Sequence, residues 1–588
     1  MENIHKNTKI RVVLTLKTFV LSMHPQHFEQ MSNVSPCSDD LETLNVNFTP
    51  SKSPDSIFIK LSTSESIDGG ALRAGGAPAL KSRAMIGLLC QYASVGLVYG
   101  TLPQLILPFL TYYLNTEGII TAAAAALMDV PWAFKAFFGM LSDNVPINGY
   151  RRRPYMIVGW IVSAAALFVA GSLHMPEPYF PNPAWRDIKP SDYTPEIKSK
   201  LNYDAQHSGG TYVLLMTLAI LGCLVADCAA DGAVVEYAQR EPLAIRGRTQ
   251  TAVYITRTLA MAISQIIIGF GLNTPSYGGS FSFGVSVSTI MYLLAFTCII
   301  TIPITWAYIA EEKHRSMYFS LYILELWENI QSPAFYKVVA FSFFYGIFGS
   351  VGYVAFDTMT SYWIGATSFS ISITIILGYA FFAGTLYVTG RYGLDWDWRY
   401  MIAITNIILI GMDAACTMLT TFDVVRRQWL WLGVKVLENI PIGIGFMIQS
   451  FVVVELAGEG CEGTIYGFIT TVQNLGTPFA TTIEKNINAP FAVWNDDILN
   501  DSPKARQDVA LTIWISYAMK FFSLIFLVWL PRQKKEVLIL KTSGKKSKFM
   551  GVITLVYTSF ALLWSILANV LSMFEQTKCW SITGGCKS

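Results

Sequence analysis

Runs of about twenty apolar residues recur along this chain, and each is long enough to cross a bilayer as a helix. They fall at 84–114, 118–141, 154–174, 211–238, 250–271, 281–309, 337–363, 368–389, 400–422, 429–456, 462–484 and 509–530. A thirteenth, 549–573, follows a basic linker at 531–548. Only 14 % of the 588 residues are charged, against about a quarter in soluble domains, and 53 % are hydrophobic. So few charges cannot cover so much apolar surface in water, and lipid can. The chain therefore reads as an all-α, polytopic membrane protein. A net charge of +2 offers no basic surface for nucleic acid. The nine cysteines are scattered, as neither a disulfide framework nor a zinc pattern. The six histidines lie in the N-terminal tail or in loops. No metal site, cofactor or enzymatic constellation is expected.

Lysine and arginine in short loops set the orientation of such a chain. Lys81 and Arg83 precede span 1, Arg151, Arg152 and Arg153 follow span 2, and Arg240, Arg246 and Arg248 follow span 4. A basic run from Arg532 to Lys548 follows span 12. All four sites agree and place the N-terminus inside; Arg426 and Arg427, after span 9, disagree. Thirteen spans put the C-terminus outside, where Cys579 and Cys586 either pair or stay as free thiols. Residues 1–83 read as a cytosolic tail, disordered from 28 onward by composition. Ile10 to Met23 is apolar but too short to span, and is either an amphipathic or targeting segment or plain tail. Asn47-Phe-Thr49 matches a glycosylation sequon that an inside tail would never expose to the enzyme.

The loop 310–336 divides residues 84–309 from 337–530, giving two halves of six spans, then 531–548, the extra helix 549–573 and a tail at 574–588. One echo links the halves. Val234-Val235-Glu236-Tyr237-Ala238 ends span 4, and Val453-Val454-Glu455-Leu456-Ala457 ends span 10.

Ionisable residues inside spans are costly and usually face a cavity or a partner. Asp227 and Asp231 are spaced i,i+4 and share a face of span 4. Arg257 enters span 5 from the same side, so the three are expected to meet, as a proton-sensitive cluster or as a permanent salt bridge. Lys135, the lone cation of span 2, either attracts an anion or reaches toward the inner surface. Asp129 shares that span. Lys435 and Glu438 are i,i+3 and either line a cavity or pair with each other. Asn439, Gln473 and Asn474 either read a solute's hydrogen-bonding edge or join helices. Gly544-Lys545-Lys546-Ser547 lacks the glycine spacing of a phosphate loop, so nothing supports ATP drive.

Span 2 and its loop read Asp129-Val-Pro131-Trp132-Ala-Phe-Lys135, then Gly139-Met-Leu-Ser142-Asp143, then Pro146-Ile147-Asn-Gly149-Tyr150-Arg151-Arg152-Arg153-Pro154. With Asp227-Cys-Ala-Ala-Asp231-Gly232 and Glu462-Gly463-Thr464-Ile-Tyr466-Gly467, this resembles the folate–biopterin transporter family of the major facilitator superfamily, over about 84–573. The resemblance implies a twelve-helix bundle in two six-helix halves. It further implies alternating-access, proton-coupled import of folate, biopterin or a related solute by a multi-pass and monomeric membrane protein. Asp129, Lys135, Arg257, Lys435, Glu438 and Asn474 are the expected cavity residues, and Asp227 and Asp231 the expected proton sites. Gly139, Asp143 and Arg151–Arg153 match the superfamily's loop motif and are expected to lock one conformational state. The second-half counterpart, Gly390 to Arg399, carries Trp396 and Trp398 where basic residues belong. The alternatives are a receptor or sensor on the same scaffold, which binds without cycling, and a transporter of an unrelated charged metabolite.

Overall fold

The computed structural model describes residues 68–583 apart from 117, 189–191, 314–317, 459, 573, 575 and 578. Ile10 to Met23, Asn47 and Cys586 lie outside the described residues. Cys579 is disulfide-bonded.

Thirteen helices follow the expected spans: α1 Arg83–Thr101, α2 Gly118–Ala133 continued by Lys135–Asn144, α3 Arg153–Ser172, α4 Gly209–Gln239, α5 Arg248–Gly271 and α6 Val287–Tyr308. After them come α7 Pro333–Gly349, α8 Ser368–Tyr392, α9 Trp398–Thr421, α10 Gln428–Leu456, α11 Glu462–Asn488, α12 Pro503–Ser523 and α13 Lys548–Ser572. Two further helices, Phe319–Ile330 and Lys534–Thr542, precede α7 and α13. Local chemistry sets several starts. Ser82, Ser286, Thr367, Asp397 and Ser502 each accept a backbone N–H from the first turn of the following helix.

Among the described residues eleven helices are long and apolar enough to cross a membrane. The two exceptions are informative. α7 is shorter, because the chain leaves the helix at Ser350 and resumes only at Ala355–Thr358. α11 is long enough but polar, carrying Thr470, Thr471, Gln473, Asn474, Thr477 and Thr481.

α1, α3, α4, α5 and α6 pack among themselves, as do α7, α9, α10, α11 and α12. α2 packs on α4 and α11, α8 packs on α5 and α10, and α4 meets α11 directly, so these helices join the two sets. At α2–α11 the backbones nearly touch. A Cβ on Gly139 would lie 2.3 Å from the Gly463 carbonyl oxygen, and one on Gly467 would lie 2.7 Å from that of Lys135. Only glycine permits this approach. α13 packs against the first segment of α2 and against α11, with Trp564 stacked on Phe479 at 3.9 Å.

The segment 68–82, expected to be disordered, is held in place. Leu72 and Arg73 N–H both donate to the Gln239 carbonyl (2.9 and 3.1 Å), and Leu243 N–H donates to the Gly69 carbonyl. Arg246 and Arg248 donate to the Gly70 and Pro78 carbonyls. The anchors are main-chain groups and arginines, so composition gives no sign of them.

Arg426, the discordant basic residue, is pinned. Its guanidinium bonds both Asp501 oxygens (2.7 and 3.0 Å) and stacks over Trp363, and Arg506 bonds the same carboxylate. Hydrogen bonds from Arg506 and Arg426 hold the Asp501 carboxyl well below the usual carboxylate range. A depressed carboxyl contributes stability above its unfolded pKa and loses it as pH falls through the folded value. Asp501→Asn is expected to lower the melting temperature of purified protein at pH 7. The gap to wild type should close as pH falls below about 4. A gap that does not change with pH would show that the carboxylate charge is not what counts.

Candidate functional site

α4 places Asp227 and Asp231 on one face, 0 % and 2 % exposed. The cation between them is Lys135 of α2, itself 4 % exposed. Its Nζ lies 2.7 Å from Asp227 Oδ2 and 2.5 Å from Asp231 Oδ2. Tyr92 of α1 donates its hydroxyl to Asp231. Lys135 reaches this position because α2 is interrupted at Phe134 (φ −94°, ψ 8°) and restarts with Lys135 as its first residue. A cation at a helix N-terminus opposes the helix dipole, and the two carboxylates offset that. One ammonium and two carboxylates leave a formal charge of −1.

Arg257 does not join them. Its guanidinium lies over the rings of Tyr254 (5.1 Å) and Phe446 (5.9 Å), and no ion pair to it occurs among the described residues. Similar depth on neighbouring helices predicts a meeting. The azimuth of α5 decides otherwise and turns Arg257 into a cavity.

That cavity has a volume of about 760 Å3, within the range of small-molecule sites. Asp129, Arg257, Gln473 and Asn474 line it, and Lys135 borders it. Asp129 is exposed. The hydroxyls of Tyr254 (α5) and Tyr466 (α11) bond each other at the level of Lys135. From that layer the lining follows α11 through Thr470, Thr477 and Thr481 to Lys485. The polarity of α11 is thus that of a helix facing a cavity. Lys435 and Glu438, expected here, line a separate pocket of about 450 Å3. Lys435 Nζ is 2.6 Å from Asp413 Oδ1 and 3.0 Å from Glu438 Oε1, so the i,i+3 pairing holds with Asp413 added. Asn439 bonds back to its own helix, and Gln473 donates to Gln449.

The loop-motif residues close the opposite end of α2–α11. Asp143 accepts from the Gly463 and Thr464 N–H groups (3.2 and 2.6 Å) and from the Thr464 hydroxyl, capping α11 from across the seam. Arg152 pairs with Asp143 (2.6 Å), Glu236 (3.0 Å) and Glu462 (3.2 Å). Burial works against its charge, and Asp143, Glu236 and Glu462 more than offset that, so its pKa lies above the ordinary value. Arg151 lies 3.6 Å from Glu236. Arg73, from the segment before α1, pairs with both Glu236 and Glu462. Three carboxylates thus meet three guanidiniums, and the balance requires Arg73. Arg153 turns away, donating to the Ile309 carbonyl, while Glu311 accepts the N–H groups of Arg151, Arg152 and Arg153 at the start of α3. Glu455 holds Arg246 at 2.8 Å. Both glutamates of the repeated Val-Val-Glu therefore hold arginines at this end, and that echo was the sequence signal for Glu236.

Arg73→Ala leaves the seam one positive charge short. Losing hydrogen bonds to charged groups costs about 1.5–3 kcal/mol. Cys461, fully buried beside the seam, is the reporter. Its alkylation, mapped by peptide mass spectrometry, is expected to rise several-fold in Arg73→Ala. Unchanged labelling would mean that Arg73 does not hold the seam.

Residues 98–181 match the model of the BT1 family. The folate-biopterin transporter of Synechocystis sp. is 23 % identical over 445 residues, 73 % of this chain and 78 % of that protein. "Probable folate-biopterin transporter 6" of Arabidopsis thaliana is 40 % identical over 47 residues, 8 % of this chain and 9 % of that protein. Among solved structures, a D-xylose-proton symporter aligns with a TM-score of 0.48 at 14 % identity, over 79 % of this chain and 100 % of that one. With its membrane-length helices, its BT1 segment and a sequence relationship that runs over most of its length, the chain is an integral, multi-pass membrane transporter related to the folate–biopterin transporters.

Proposed function

We propose that the protein carries an anionic, flat heteroaromatic solute of the folate or pteridine class through the central cavity by alternating access, coupled to protons at Asp227 and Asp231. The observation that carries the reading is a cavity of about 760 Å3 in which the Arg257 guanidinium and the Asp129 carboxylate both lack an ion-pair partner among the described residues. A folate brings carboxylates for the guanidinium and ring N–H groups for the carboxylate. Asn474 and Gln473 add hydrogen-bonding capacity, and the aromatic rings flanking Arg257 suit a planar solute. The name of the Synechocystis relative points to the same class.

Proton coupling is supported by charge. The triad carries −1 in a region where an unbalanced charge costs several kcal/mol, and one proton on either carboxylate neutralises it. Alternating access is supported by the seam. Gly139, Asp143, Arg151 and Arg152 hold one end of α2–α11 shut while the cavity extends toward the other, and Arg153 braces the same loop against the end of α6.

The test is uptake of radiolabelled folate and biopterin into vesicles, with and without an inward proton gradient. Gradient-stimulated uptake is expected. Arg257→Ala should lower it by about tenfold or more, the loss of one charge-assisted contact. No uptake of either compound by correctly inserted protein contradicts the substrate class. Full uptake by Arg257→Ala contradicts the cavity assignment.

A further inference from the structure

We infer that Tyr466 is the positioning residue through which α11 senses the charge state of the Lys135–Asp227–Asp231 triad. The inference rests on the proton-coupling reading above and extends it to a residue outside the triad.

The triad itself lies within the first six helices, with Lys135 on α2 and both carboxylates on α4. Lys135 is the member of the triad whose charge faces a ring on the last seven helices. The Lys135 ammonium lies 5.4 Å from the centroid of the Tyr466 ring, where a desolvated cation is attracted by the ring face. The Tyr466 hydroxyl bonds Tyr254 of α5, which fixes the ring in place. The backbones meet at the same point. Gly467 packs on the Lys135 carbonyl, so closely that a Cβ there would lie 2.7 Å away. The interruption at Phe134 leaves the Ala136 N–H without a carbonyl one turn back, and it donates to Thr471 Oγ1 of α11 at 3.2 Å. Residues 466–471, little more than one turn of α11, thus touch the charge, the carbonyl and the following N–H at the restart of α2.

Protonation acts at this joint. With both carboxylates ionised, the ammonium is drawn to α4 by two negative charges. A proton on one removes half of that attraction, and the ring of Tyr466 becomes a larger share of what holds Lys135. The position of Lys135, and with it the α2–α11 contact, then depends on the proton. The charged or titratable groups around Lys135 are Asp227, Asp231, Cys223 and Cys228 on α4, Tyr92 and Tyr99 on α1, Tyr254 and Arg257 on α5, and Tyr466 on α11. Trp132, at 5.5 Å on α2 itself, is a second ring that stays in place in every variant below.

The experiment is infrared difference spectroscopy of the full-length protein in lipid, following the protonated-carboxyl band as pH is lowered, with no solute present. Asp227→Asn and Asp231→Asn identify the band. In Tyr466→Leu the ammonium loses the ring that takes a larger share in holding it once a carboxylate is protonated, so the band should appear at a pH lower by roughly half a unit or more. Tyr466→Phe keeps the ring and loses the Tyr254 bond; it should follow the wild-type profile. If Tyr466→Leu does not insert, Tyr466→Met, an adaptable side chain of similar reach, takes its place with the same expectation. A band unaffected by both Asp→Asn changes overturns the proton-coupling reading. A band assigned to the triad whose pH profile is the same in wild type and in Tyr466→Leu or Tyr466→Met overturns the role of Tyr466 alone. A shift in Tyr466→Phe as large as in Tyr466→Leu also overturns it, because the ring is then not the sensing element.

Discussion

Lys135 is a single positive charge held between two negative ones, and all three are withdrawn from solvent in a part of the chain built to lie in lipid. Charges at such depth persist only with partners close by. The need for partners accounts for much of the local architecture. The i,i+4 spacing of Asp227 and Asp231 turns two carboxylates to one side of α4. The interruption at Phe134 delivers the ammonium to them at a helix start. α11 then covers the joint, supplying a ring for the charge and a hydroxyl for the freed N–H.

The two ends of the α2–α11 seam differ in character. The end that carries the loop motif is neutral and dense, with three carboxylates against three guanidiniums and glycines that let the backbones meet. Beyond the triad the helices part, and Asp129 and Arg257, which have no ion-pair partner among the described residues, face the cavity. In the proposed cycle, a seam that is charge-balanced at one end and open at the other has two places where a solute, a proton or the segment before α1 would shift its equilibrium. Arg73 gives that segment a direct part in the closure, since its charge completes the balance between Glu236 and Glu462.

The helical runs were legible in the sequence because lipid imposes length and hydropathy on every span that faces it. α11 departs from that pattern for a physical reason: it faces a cavity, and its threonines and amides dilute the apolar signal. The shared face of Asp227 and Asp231 follows from periodicity alone. Which cation they receive does not, because periodicity fixes a face on one helix and not the rotation of its neighbours; hence Lys135 where Arg257 was expected. Lys435 and Glu438, at i,i+3, read as cavity lining or as a pair; they pair, and Asp413 on a different helix joins them beside a separate pocket. The residues before α1 were unreadable for another reason. Segment 68–82 buries little apolar surface and is fixed by carbonyls and by arginines of other segments, which composition does not record.

In the proposed cycle the Asp143–Arg152–Glu462 seam holds one end of the protein shut while the cavity serves the other. The most direct measurement is a spin-label distance across that end, between the exposed positions Ile147 and Leu538, in protein reconstituted in lipid. Wild type should give a distribution dominated by one short distance. With Asp143→Asn, which removes the charge that caps α11 and pairs Arg152, a second and longer population should appear. An unchanged distribution in that variant, with the protein folded and inserted, would contradict the account, because the seam would then not be what keeps this end closed.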